Sequence, residues 1–116
     1  MKYLCLIYED QSMYTKLSKA ESDKVMADYG AFTDNVKKSG QYLAAEALQP
    51  SNTATTIRSR NGKLTSTDGP FAETKEQLGG FYLIDAKDLN DAIRVAGKIP
   101  SAQWGAIEVR PIMEFD

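Results

Sequence analysis

Residues 2–8 are apolar at almost every position. Tyr3, Cys5 and Ile7 fall on one side of an extended chain, and Leu4, Leu6 and Tyr8 on the other. Two apolar faces in a short run predict a strand buried on both sides. Glu9-Asp10 closes the run. The period then changes. Val25, Tyr29, Phe32 and Val36 recur at helical spacing, with Met26 beside them. Ser18-Lys19-Ala20-Glu21 has the form of a capping box, in which the serine oxygen and the glutamate each satisfy a free amide. Lys37 and Lys38 suit the negative end of the helix dipole, and Ser39-Gly40 stops it. A helix over 18–39 follows.

Residues 41–48 read as a second strand with Pro50-Ser51-Asn52 as its exit loop. Residues 53–60 are rich in β-branched side chains and run into Asn61-Gly62, a pair that tolerates the positive φ of a tight hairpin. Residues 63–67 return as the partner strand. An apolar strand follows at 80–85. Asp88 is placed to cap a short helix with Asp91 in its first turn, and Leu89, Ala92, Ile93 and Ala96 form its expected inner face. Pro100 closes that helix. Residues 106–115 alternate, with Ile107, Val109, Met113 and Phe115 opposite Glu108, Arg110 and Glu114; Pro111 marks an edge or a bulge.

The order is β-α-β, a hairpin, then β-α-β. It predicts an α+β fold: a ferredoxin-like split βαβ plan with an inserted β-hairpin. Two helices cover one face of such a sheet. The other face still carries tyrosine and leucine, and an apolar face of that size predicts a homodimer packed sheet against sheet.

At 116 residues the chain, 1–116, is expected to be a single domain. A net charge of −2 with interspersed signs argues against nucleic acid or an acidic membrane as partner. The apolar opening is too short to span a bilayer. One cysteine allows no internal disulfide and suggests a cytoplasmic home. Histidine is absent, which removes imidazole-based triads and histidine metal sites. Acid–base chemistry falls to Asp, Glu, Lys, Tyr or Cys. No phosphate loop, dinucleotide fingerprint or trusted metal spacing is present, so neither cofactor nor metal is expected. Cys5, in a central strand, is expected to be inert.

The least ordinary stretch is 67–81, Thr-Asp-Gly-Pro-Phe-Ala-Glu-Thr-Lys-Glu-Gln-Leu-Gly-Gly-Phe. Gly69-Pro70 punctuates the backbone, carboxylates and a lysine follow, and Gly79-Gly80 permits close approach. Asp68 through Phe71, with residues 72–81, resembles the DGPF-type branch of the YCII-related family. The opening Met1-Lys2-Tyr3-Leu4, the segment Tyr29-Gly30-Ala31-Phe32 and the ending Ile107-Glu108-Val109-Arg110-Pro111-Ile112 support the resemblance. It implies a dimeric α/β barrel of ferredoxin-like protomers. Some relatives are thought to use a histidine–aspartate pair in lyase-type chemistry; without histidine only Asp68 maps to that pair. The family's gene neighbourhood implies, by analogy, an accessory role beside extracytoplasmic-function sigma factors.

The candidate residues each read two ways. Asp68 is a general base or ligand anchor, or it is a turn former bonding amides two residues on. Lys75, flanked by Glu73 and Glu76, is a point charge for an anionic ligand, or part of a solvated loop. Glu46, Glu108 and Arg110 line a polar cavity or form cross-strand ion pairs. Tyr8 and Tyr82 offer hydroxyls to a ligand or pack with the hydroxyl satisfied. Phe71 joins Tyr8, Glu46, Lys75, Glu108 and Arg110 as a ligand-binding candidate. Two functions follow: a small-molecule-binding module with a polar cleft near Asp68-Gly69-Pro70-Phe71, or an isomerase or lyase in which Asp68 removes a proton beside a carbonyl or from a lactone. For the second, burial should raise the Asp68 pKa.

Overall fold

The computed structural model describes residues 1–115. In chain order the elements are β1 (Lys2–Glu9), α1 (Lys19–Lys38), β2 (Tyr42–Ala47), β3 (Thr55–Arg60), β4 (Lys63–Asp68), β5 (Gln77–Asp85), α2 (Leu89–Ala96) and β6 (Ala106–Pro111). Short 3-10 turns lie at Gln11–Lys16, Ser51–Thr53 and Pro100–Gln103. The fold is α+β. Four strands form one antiparallel sheet in the order β2-β5-β1-β6, and β3 and β4 pair only with each other.

α1 begins as its sequence dictates. Glu21 N–H donates to Ser18 Oγ, and Ser18 N–H donates to Glu21 Oε1, so both halves of the capping box form. Phe32 and Val36 point inward, and Phe32 meets Tyr82 edge to face at 5.0 Å between ring centres. The core lies between the two helices and one face of the sheet. Tyr3, Cys5 and Ile7 from β1 and Tyr82 and Ile84 from β5 meet Phe32, Val36, Val95, Ala96 and Ile99 there. Their burial is the main driving force for this packing, at about 1.5–3 kcal/mol for each large aliphatic or aromatic side chain.

Several expectations need correction. β1 is buried on its helix side only; Leu4, Leu6 and Tyr8 are half-buried. In α2 the inner stripe is Ala92, Val95 and Ala96, while Leu89 and Ile93 face solvent. Inward Val95 sets that stripe's rotation, and it continues to Ile99. α2 ends at Gly97, and Pro100 opens the next 3-10 turn rather than closing the helix. β6 stops at Pro111, leaving Met113 and Phe115 exposed beyond it. β6 is an edge strand, paired only with β1, where a proline lacking its N–H is tolerated. β5 starts earlier than its apolar run, at Gln77.

The β3–β4 hairpin turns at Asn61 (φ 52°) and Gly62 (φ 75°) as the Asn-Gly signal demands. Its base is closed by Gly69 N–H donating to the Ala54 carbonyl at 2.7 Å. It forms an exposed arm, with Ile57 and Leu64 in solvent. No described helix is long and apolar enough to cross a membrane.

Candidate functional site

The helix-free face of the sheet is built from cross-strand rows, because directly opposed residues point the same way. Leu83 of β5, Leu4 of β1 and Arg110 of β6 form one row, with Ala44 of β2 beyond Leu83. Glu46, Phe81, Leu6 and Glu108 form the next. Leu78, Tyr8 and Ala106 form the third. The centre is apolar and the flanks are charged. Arg110 Nε donates to Glu108 Oε2 at 2.7 Å, an exposed pair along one edge strand.

At the Tyr8 end of this face an open cleft of about 1180 Å³ is bounded by β1, β6 and residues 74–76. Tyr8, Asp10, Lys75, Glu76, Trp104 and Glu108 contribute to its walls. Side-chain and backbone bonds hold the loop wall: Thr74 Oγ1 donates to the Glu76 carbonyl at 2.6 Å, and Gln77 Nε2 donates to the carbonyls of Ala72 and Thr74. Asp10 caps the first 3-10 turn. Its carboxyl is held below the usual range chiefly by the Ser12 hydroxyl and amide, with a smaller pull from Lys75.

Behind the cleft, on the helix side of the sheet, sits Glu9. It ends β1, and only 7% of it is exposed. Three donors converge on Glu9 Oε2: Tyr14 O–H at 2.5 Å, Trp104 Nε1–H at 2.7 Å and Ser101 O–H at 3.0 Å. With its proton committed to Glu9, Ser101 Oγ accepts from Tyr29 O–H in turn. No described cation pairs with Glu9, so hydrogen bonds alone offset the loss of hydration. Burial, and then the bond to Glu9, push the Tyr14 phenol up, which keeps it a donor. Burial also raises Tyr29. Local sequence makes this cluster possible. Pro100 opens the turn that carries buried Ser101 and then Trp104. At Gly105 a Cβ would collide with the Tyr8 carbonyl oxygen, so only glycine lets β6 cross so close to the end of β1.

The structure brings Tyr8, Lys75 and Glu108 together in the cleft. Glu46 and Arg110 share the helix-free face without lining the cleft. Asp68 and Phe71 lie elsewhere, at the base of the arm. Asp68 is exposed, and its carboxylate accepts no hydrogen bond from a described residue; it occupies neither a buried cavity nor an amide-bonded turn. Phe71 is 78% exposed, with the Arg58 guanidinium 5.7 Å from its ring centre. Tyr82 is a core residue whose hydroxyl bonds Thr33 Oγ1 at 2.7 Å. Cys5 is fully buried, and burial pushes its thiol up to about 11. Among the described residues no group of three or more His, Cys, Asp or Glu is placed to hold a metal ion. Sequence reasoning missed Glu9 and Trp104. Parity would have found the first, since Glu9 continues the inward series Tyr3, Cys5, Ile7.

An uncharacterised protein of Rhizobium meliloti (strain 1021) is 40% identical over 114 residues, covering 97% of this chain and 92% of that one. Residues 1–116 match the YCII-related domain. The chain belongs to the YCII-related domain family.

Proposed function

We propose that this YCII-related protein is a homodimeric small-molecule-binding module of ferredoxin-like protomers, in the DGPF-type branch. The observation that carries the reading is the helix-free face: Leu4, Leu6, Phe81 and Leu83 stand together with no described helix or strand over them, and the cleft opens beside them. Packing two such faces forms a dimeric α/β barrel and removes this apolar area from water at about 25 cal/mol per Å². Glu46, Glu108 and Arg110 then lie around a desolvated centre, in keeping with an interface of apolar core and polar rim. The chain's own arrangement favours binding over a reaction led by Asp68, because that carboxylate stands in solvent away from the cleft.

Sedimentation velocity tests the assembly. Wild type is expected to run as a dimer at micromolar concentration, and Leu6→Asp as a folded monomer. A monomeric wild type at all concentrations overturns the dimer. Thermal-shift screening of small polar and aromatic compounds, repeated with a bulky Ala106→Trp substitution in the cleft wall, tests the binding. Stabilisation that the substitution leaves intact overturns the cleft as the site.

A further inference from the structure

The cleft walls say what kind of ligand they suit. Asp10, Glu76 and Glu108 face one cation, Lys75, so three carboxylates meet a single ammonium among the lining residues. Arg110 is tied to Glu108, and Lys75 acts on Asp10. Glu76 forms no ion pair with a described residue. The wall therefore keeps uncompensated negative charge.

The second observation is independent of that charge. Trp104 lines the same cleft, yet its one polar atom is already committed: Nε1–H donates to the buried carboxylate of Glu9 at 2.7 Å. What the indole has left to offer a ligand is ring. Donation to an anionic acceptor also shifts electron density into the ring and strengthens the negative potential over its faces. Indole is already the best natural platform for a cation. Tyr8, in the same wall, adds a second aromatic surface.

We infer that the cleft takes an organic ammonium cation, seated against Trp104 and Tyr8 with Glu76 supplying counter-charge. Glu9 is a positioning residue that holds and polarises the indole. The inference rests on the cleft being a ligand site, and it narrows the ligand to one chemical class. Lys75 forms no ion pair with a described residue, and three carboxylates outnumber it in the wall, which disfavours an anionic ligand.

The experiment is calorimetric titration with benzyltrimethylammonium chloride, with benzoate and benzyl alcohol as anionic and neutral probes of similar shape. Trp104 is the single tryptophan, so its fluorescence reports binding at this wall directly. Saturable binding of the cation with a change in Trp104 emission, and at least tenfold weaker binding of benzoate, is expected. Glu76→Gln lies in an exposed loop and is expected to weaken the cation severalfold; Trp104→Leu should weaken it roughly tenfold. Glu9→Gln should weaken it less, while shifting Trp104 emission. Comparable or tighter binding of benzoate overturns the cation assignment and leaves the small-molecule reading standing. Cation binding that is unchanged in Glu76→Gln overturns it too, even if Trp104→Leu fails to fold. Failure of all three probes to bind overturns the cation assignment, and the ligand screen of wild type against Ala106→Trp then decides separately whether the cleft is a binding site.

Discussion

Glu9 is the buried carboxylate on which three side-chain donors converge. Glu9→Ala removes the shared acceptor of Tyr14, Ser101 and Trp104, and charged hydrogen bonds of this kind contribute about 1.5–3 kcal/mol each. These losses do not add, and the expected destabilisation is about 3 kcal/mol by urea denaturation. Glu9→Gln keeps an acceptor oxygen and should lose roughly half as much. Glu9 was passed over in the sequence because a charge after an apolar run reads as a boundary; parity places it inward, and the partners, distant along the chain, explain why a carboxylate belongs there. Cys5 was legible, since its strand was. Its thiol titrates from 9.0 when unfolded to about 11 when folded, because burial disfavours the thiolate. The folded state therefore binds more protons across that interval. The contribution of this thiol to stability is complete below pH 9.0, is lost as pH rises toward 11, and falls no further above it. Cys5→Ala should flatten this part of the alkaline decline in melting temperature. Tyr14, Tyr29 and Tyr82, also raised by burial, contribute to the loss that remains at higher pH.

At the level of elements, local signals succeeded where they specify backbone geometry. The capping box of α1 and the Asn61-Gly62 turn are decided within a few residues, and both form as the sequence demands. Faces and ends were harder. Leu89 and Ile93 are apolar enough to suggest an inner stripe, but the rotation of α2 is set by what Val95 and Ile99 pack against. The alternation of β6 continues past Pro111 in the text, whereas pairing with β1 ends there. The two adjacent glycines of β5 also differ in a way spelling cannot show. A Cβ on Gly80 would lie 2.8 Å from the Glu46 carbonyl oxygen and 3.3 Å from Ala47 Cα, both fixed backbone of β2. A Cβ on Gly79 meets only side chains, with Glu9 Oε1 at 3.5 Å. Gly80→Ala should therefore destabilise by about 1–3 kcal/mol, the usual result of forcing a methyl into filled space. Gly79→Ala should stay within about 1 kcal/mol of wild type in the same denaturation assay. Equal losses would mean that β2 can move aside.

The whole molecule measures 48 × 47 × 18 Å, with a radius of gyration of 16.2 Å. A compact chain of this length has a radius near 13 Å. The excess reflects a thin, one-sided sheet and an arm that pairs only with itself. That the fold is α+β with an antiparallel sheet was readable from the order of elements. The cleft was not, because it joins the end of β1, the loop before β5 and the turn before β6. Removing residues 55–68 and joining Ala54 to Gly69 through a two-glycine link should leave a cooperatively melting four-stranded domain, since those two residues are already hydrogen-bonded neighbours. Loss of cooperative unfolding would show that the arm holds the sheet together. The same closure bears on descent. A hairpin whose two ends meet at one hydrogen bond can be acquired, shed or resized in a single genetic event without reordering any strand of the sheet. Kinship among such chains is then recorded in β1, β5 and their neighbours, and differences in overall length carry little of it.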